Sequence, residues 1–549
     1  MKLNYFTLFS FLTIPLLFYG QTPGDESDII SINSSLTYQG FGETTAHIGT
    51  GEYKIYYDNI DGVFDKPIIV ADGFDPNDSR TIDLMYELLD YGEPVQNLAD
   101  ALRDEGFDIV VLNFPTYISS SDNTTEINGG ADFIQRNAFI LTELIDTVND
   151  LKEGEEQNVV IGPSMGGLVC QYALRYMEQN SMDHDTRLFI SFDTPHLGAN
   201  VPMGIQYLFN YLYNGDPAIE ETENLVNGFL NSPAAKQMLI DHYLGHLQSG
   251  SNVDQDATVT LPIGAPNFRD DFQTELNTMG MPQNSRNVAI VNGSGTGEMT
   301  GSPGMELINH TFDTGIVGTS QTQATIAINF APLASETITV TDLVGQINIF
   351  GTWIDVYNYE ATAESPTTSD GLDSAPGGQF DLYSFGDESI DLISEFVDNL
   401  NSQYFCFIPT LSALSISDSN WYTVLTTTDS PFDNTYIPSS NEPHVTLSTG
   451  NVAFAITEIL EGTLSLPSYE TDIVKLSQNP IKKQLTILST SQIYDAEIAI
   501  FDLTGKQVYQ TNTSLTEHNT FNLQLDSGLY LLQVYDNSKK LLNTKLIVK

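Results

Sequence analysis

From Lys66 to Phe192 the chain alternates short, continuously apolar runs with segments of helical period. Pro67-Ile-Ile-Val-Ala71, Phe107 to Phe114, Gln157-Asn-Val-Val-Ile161 and Arg187-Leu-Phe-Ile-Ser-Phe192 are the apolar runs. A strand covered by helices on both faces carries no polar alternation, so each run predicts a buried parallel strand. Residues 81–105, 131–151 and 168–178 between them read as helices; the second repeats Phe133, Phe139, Ile140, Leu144, Ile145 and Val148 at helical spacing. This succession predicts an α/β fold, a parallel sheet with helices on both faces.

The pattern changes three times afterwards. Residues 198–280 are helix-like and rich in Asn, Tyr and Leu, which predicts a helical cap inserted in the alternation. Asn287-Val-Ala-Ile-Val291 resumes the sheet, and residues 300–365 turn to Thr and β-branched runs, a β-rich insertion. Residues 387–400 then predict a helix, 403–407 the last core strand and 451–460 the closing helix. Residues 60–465 thus form one α/β domain, preceded by an extension over 21–59 that holds the strand-like run Glu52 to Tyr57. Residues 472–549 consist of short β runs with turn signals between them, as in an all-β sandwich.

Charge sharpens the last boundary. The 549 residues carry a net charge of −52, yet residues 472–549 hold eight Lys against seven acids. So acidic a chain excludes nucleic acid as a partner, since phosphate binding needs clustered Lys and Arg. It leaves calcium binding open, although no EF-hand loop is present. Residues 1–20 pair Lys2 with an apolar stretch from Tyr5 to Tyr19, the pattern of a signal peptide, and no later stretch is long and apolar enough for a membrane span. The only cysteines are Cys170 and Cys406; Cys170 falls on the helix after Ser164, where a buried free thiol is expected.

The chemistry centres on Gly162-Pro-Ser-Met-Gly166, a G-x-S-x-G run between a predicted strand and a predicted helix. That context is what a serine nucleophile requires, a sharp turn that lifts the hydroxyl above the sheet. Ser164 is the candidate nucleophile. The N–H of Met165, the next residue, and that of Phe74, in the loop Asp72-Gly-Phe-Asp-Pro76, are candidate oxyanion donors. A hydroxyl needs a base, and the chain order Ser, acid, His points to His444, which lies before the closing helix. His242 and His246 read as a pair on the cap surface. The acid is sought between about residue 293 and His444: Asp373 first, then Asp370, Glu298 or Asp433.

Two resemblances extend this reading. Gly162-Pro-Ser-Met-Gly-Gly167 and Asp193-Thr-Pro-His-Leu-Gly198 make residues 60–465 resemble the α/β-hydrolase superfamily, in its lecithin:cholesterol acyltransferase-like and GPI inositol-deacylase-like branch. The resemblance implies a serine esterase or lipase, a structural role for His196, and an acid in an Asp-Gly-Asp-Gly-like turn, which Asp370-Gly-Leu-Asp373 loosely matches; the serine chemistry itself requires no cofactor. The branch commonly has His-Gly where this chain has Asp72-Gly73. Leu476-Ser-Gln-Asn-Pro480, Ile500 to Lys506, Ser527-Gly-Leu-Tyr530 and Lys545 to Lys549 resemble the sorting domain of the type IX secretion system. That implies passage through this machinery to the outside or the cell surface. The expectation is hydrolysis of carboxylic esters, small or lipid-like, with the cap supplying the acyl pocket. Amide hydrolysis or acyl transfer on the same residues, or a surface binding protein of this fold without catalysis, are the alternatives.

Overall fold

The computed structural model describes residues 22–385, 391–425, 430–464, 474–502, 506–525, 527–536 and 539–549; the expected signal peptide lies outside them. Contacts divide the chain into two compact units, Met1–Ile456 and Thr457–Lys549.

In the first unit the strands run β1 (Ile30–Tyr38), β2 (His47–Tyr56), β3 (Pro67–Ala71), the two-residue β4 (Asp90–Tyr91) and β5 (Gln96–Asn97), β6 (Asp108–Asn113), β7 (Thr116–Ile118), β8 (Glu126–Asn128), β9 (Asn158–Pro163), β10 (Thr186–Phe192) and β11 (Arg286–Ile290). There follow β12 (Glu306–Val317), β13 (Ser320–Asn329), β14 (Thr337–Ile349), β15 (Thr352–Glu364), β16 (Gly377–Asp381), β17 (Tyr404–Pro409) and β18 (Asn434–Tyr436). The helices are α1 (Ile82–Glu87), α2 (Leu98–Asp104), α3 (Ile134–Leu151), α4 (Met165–Gln179), α5 (Met203–Asn214), α6 (Pro233–Met238), α7 (Arg269–Met279), α8 (Asp391–Asp398), α9 (Thr410–Ala413) and α10 (Thr449–Leu464).

Eight strands form the main sheet in the order β1-β2-β6-β3-β9-β10-β11-β18. All pairs from β6 to β18 are parallel, and β1 and β2 join antiparallel at one edge. Both strands of the expected extension, β1 and β2, are therefore part of this sheet. Successive side chains of a strand face opposite ways. Ile69, Ala71, Val110, Leu112, Val160 and Phe189 accordingly pack into one core with α3 and α4, while Ile68, Val70, Ile109, Ile161 and Ile190 face the side of α1 and α2.

Three expectations need correction. Residues 81–105 are two short helices rather than one, because Gly92 adopts φ 75° and Pro94 has no N–H to continue a helical ladder, so a tight β4–β5 turn intervenes. The strand expected at 403–407 is β17, which pairs with β16 in a separate two-stranded sheet; the last strand of the main sheet is β18, paired with β11. Within 198–280, α7 packs on α4 through Tyr172–Glu275 and Arg175–Met279 hydrogen bonds, so the stretch is not helical cap throughout. The expected β-rich insertion is a four-stranded antiparallel sheet, β12-β13-β14-β15.

The second unit has a three-stranded sheet of Val474–Leu476, Gln484–Ser489 and His518–Asn522, and a four-stranded sheet of Ile493–Phe501, Gln507–Leu515, Gly528–Asp536 and Lys539–Val548. Leu485 and Ile487 from the first and Ile498, Ile500, Leu532 and Val534 from the second share one buried core, the expected all-β arrangement. Both cysteines are free and buried. Among the described residues no helix is long and apolar enough to cross a membrane.

Candidate functional site

Strand β9 ends at Pro163 and α4 begins at Met165, so Ser164 makes the whole turn alone, at φ 52° and ψ −130°. Left-handed backbone at a non-glycine residue costs about 1–3 kcal/mol and persists only where its surroundings impose it. The Ser164 N–H donates to Phe192 O at 2.8 Å. The turn closes because Gly162 has no Cβ; one there would lie 2.4 Å from Gly167 Cα.

His444 follows β18 and donates its backbone N–H to Gln379 O at 2.8 Å. Its Nε2 lies 2.8 Å from Ser164 Oγ, and its Nδ1 lies 2.7 Å from Asp193 Oδ2. Asp193 has no exposed surface and directly follows β10, the strand beside β9. Its other oxygen accepts from the Asn292 N–H at 3.0 Å. With a carboxylate at Nδ1, the imidazole proton sits on Nδ1 and Nε2 accepts from the serine hydroxyl. An imidazole so held can take the hydroxyl proton as the oxygen attacks, and the carboxylate stabilises the resulting cation.

Asp373, expected as the acid, is not at His444. It is buried in a 3₁₀ turn, where it accepts from Asn200 Nδ2 at 3.0 Å and the Ala331 N–H at 2.7 Å, and burial pushes its carboxyl up to about 6. Asp370 accepts from the Ala334 N–H, Glu298 from the Asn441 N–H and Asp433 from the Asn287 N–H. Each of these four carboxylates anchors a backbone segment instead. Sequence reasoning sought an acid beyond residue 293 and passed over Asp193, which respects the order Ser, acid, His. The readable signal was its place: the first residue after the predicted strand that follows the nucleophile's helix.

Gly378 explains the Gly-Gly pair after Asp373, because a Cβ on it would come within 2.0 Å of Asp193 Oδ2. Gly378→Ala is expected to push the carboxylate off His444, lowering kcat for an ester substrate by about 100-fold or more while circular dichroism shows the fold retained. Unchanged kcat would mean that the loop yields without disturbing Asp193.

The N–H groups of Met165 and Phe74 have no hydrogen-bond acceptor among the described residues. The Gly73 N–H, by contrast, turns to Asp72 Oδ1 at 2.7 Å. Arg80 bridges this loop, with Nε 3.1 Å from Asp72 Oδ1 and Nη2 2.8 Å from Phe74 O. Asp72 is buried, which pushes its carboxyl up to about 6 despite the Arg80 charge. The loop that carries the Phe74 N–H is thus fixed from two sides.

A cavity of about 290 Å³ opens at Ser164 and runs beneath α1 and α2. Its floor is Ile68, Val70, Ile109, Ile161, Ile190 and Ile290, one face of five adjacent strands, and its roof includes Met85, Leu89, Leu98 and Leu102. The expected cap contribution reduces here to Phe229, whose ring meets Phe74 edge-on at 5.3 Å. A smaller space that also reaches Ser164 is lined by Ala199, Phe229, Ala235, Met238 and Leu239 of the expected cap.

Three other histidines have structural partners. His196 is buried between Ser191 Oγ at 2.7 Å and Gln171 Oε1 at 2.9 Å, and burial depresses it to about 3, so it stays neutral. His242 and His246 are buried rather than on the cap surface: His242 bonds Leu230 O, and His246 pairs with Asp241. Among the described residues no group of three or more His, Cys, Asp or Glu is arranged to hold a metal.

Comparison with known proteins matches residues 102–212 to a family described as "Putative serine esterase" and residues 479–549 to a family described as "Secretion system C-terminal sorting domain". No curated protein matches the chain. Similar solved structures include a protein from Rickettsia typhi described as a "Putative Hydrolase", 12% identical with a TM-score of 0.23 over 48% of this chain and 82% of that one. Est1E from Butyrivibrio proteoclasticus is 10% identical, TM-score 0.22, over 47% and 76%. The peroxisomal alpha-beta-hydrolase Lpx1 from Saccharomyces cerevisiae is 13% identical, TM-score 0.25, over 49% and 75%. With the serine-esterase family match spanning Ser164 and the sorting-domain match filling the tail, the chain is a secreted or cell-surface protein with a type IX sorting domain behind a parallel α/β core, part of which is similar to serine esterases.

Proposed function

We propose that this protein hydrolyses carboxylic esters with an apolar acyl chain. The observation that carries the proposal is the continuous hydrogen-bonded row Ser164–His444–Asp193 at the mouth of an apolar cavity. In this mechanism His444 Nε2 takes the Ser164 proton as Oγ attacks the ester carbonyl. The Met165 and Phe74 N–H groups stabilise the oxyanion. His444 then protonates the leaving alcohol, and water, deprotonated by the same imidazole, releases the acid from the acyl-enzyme. Asp193 keeps the imidazole in the required tautomer throughout.

The acyl chain lies along the isoleucine floor. From β9 to β6 the floor crosses two strand spacings, about 10 Å. A zigzag of ~1.5 Å bonds covers that distance in about eight carbons. Fluorophosphonate labelling with peptide mapping, run beside a p-nitrophenyl ester series, tests the reading. The expected outcome is label on Ser164 and rising kcat/KM with acyl length. Ile109→Phe, which fills the far end, is expected to lower kcat/KM about tenfold for the longer esters alone. Folded protein that neither labels nor turns over any ester would refute the proposal, and faster cleavage of matched amides would replace the substrate class.

A further inference from the structure

The four-stranded insertion ends in two adjacent hairpin tips. Val317 pairs with Ser320 at one and Ile349 with Thr352 at the other, and the Thr322–Ile347 pairing sets the two side by side. Ile316 and Val317 are 70% and 65% exposed, and the Phe350 ring is fully exposed. Trp353 and Ile354 beside them are exposed too. Monomeric proteins seldom leave such a contiguous apolar group in water without a use for it.

The charge pattern says what the use is. In a chain of net charge −52, residues 314–335 and 343–354 contain no Asp, Glu, Lys or Arg. Burial in a medium of low dielectric demands such a gap, whereas a tip that only faced water would not. The first carboxylates behind the tips are Asp313 and Asp355, with Gln346 donating to the latter at 2.7 Å. They stand four or five residues from the turns, about 13 Å at ~3.4 Å per residue. An interfacial element enters the headgroup boundary by about 5–10 Å, so these charges stay in the water. Residues 306–364 contain no Lys or Arg but seven acids, so an anionic lipid surface would repel this arm.

We propose that the paired tips of β12–β13 and β14–β15 dock on a neutral or zwitterionic lipid surface, inserting Ile316, Val317, Ile349 and Phe350, with Trp353 at the headgroup level. The proposal stands apart from the ester chemistry.

Trp353 and Trp421 are the only tryptophans, so Trp421→Phe leaves Trp353 as the sole reporter. With phosphatidylcholine vesicles, the full chain is expected to co-sediment and the Trp353 emission to shift to the blue. Phe350→Asp and Ile316→Asp are each expected to lower the partition coefficient about tenfold or more, with circular dichroism unchanged. Absence of vesicle binding, equal binding by the variants, or stronger binding to phosphatidylglycerol vesicles would overturn the proposal. So would concentration-dependent self-association that Phe350→Asp abolishes, since the tip would then be a contact between copies of this chain.

Discussion

Ser164→Ala is expected to reduce ester turnover by about 10⁶-fold, to a residual rate still about 10³ above uncatalysed hydrolysis. The residue is the only atom source for the acyl-enzyme, so its loss removes the covalent route. The Met165 and Phe74 donors and the cavity remain, and they account for the residual rate. Alanine keeps the Cβ and needs no new space, although it inherits the φ of 52°. Fluorophosphonate label should disappear with the hydroxyl. His444→Ala should fall by a comparable factor, and the double variant no further, because the two act as one unit. A Ser164→Ala protein that keeps more than about one hundredth of the wild-type rate would mean that another nucleophile does the chemistry.

Asp193→Asn is expected to lower kcat by about 10⁴, or about 5.5 kcal/mol of barrier, with KM little changed. The amide is isosteric, so the packing against Gly378 survives. Its NH₂ toward Nδ1 favours the tautomer with Nε2 protonated, which cannot accept the Ser164 proton. Asp373→Asn provides the contrast. Its carboxylate joins Asn200 to the Ala331 N–H, so the amide should cost about 1–3 kcal/mol of stability and leave kcat nearly intact. Measuring kcat and thermal unfolding for both variants separates the two roles. A large kcat loss in Asp373→Asn with wild-type activity in Asp193→Asn would reverse the assignment.

Much of this was legible before any coordinates. The apolar runs around Ile68, Val110, Val160 and Ile190 marked buried parallel strands because a strand covered on both faces has no solvated side to signal. The G-x-S-x-G run between strand and helix marked Ser164 because the turn needs those small residues. The charge-neutral, strand-patterned tail marked a separate all-β unit. These are local properties, in which a residue's type and its near neighbours decide its conformation.

Other features depend on distant parts of the chain. The extension strand Ile30–Tyr38 is exposed over much of its length, so its pattern is weak; only pairing with β2 makes it a strand of the main sheet. Which acid meets His444 is a matter of strand order and register. Asp193 and His444 are 251 residues apart and meet because β10, β11 and β18 lie side by side, whereas Asp373, much nearer in sequence, is drawn to Asn200 and Ala331. The cavity's place beneath α1 and α2 follows from how residues on five strands and two helices, distant along the chain, come to line one space. The sequence by itself determined the parallel α/β core, the serine turn and the sorting domain, since each is written in neighbouring residues. The carboxylate at His444, the cavity and the adjacent hairpin tips were decided only by the tertiary structure, because each is a contact between segments whose spacing along the chain carries no trace of their meeting.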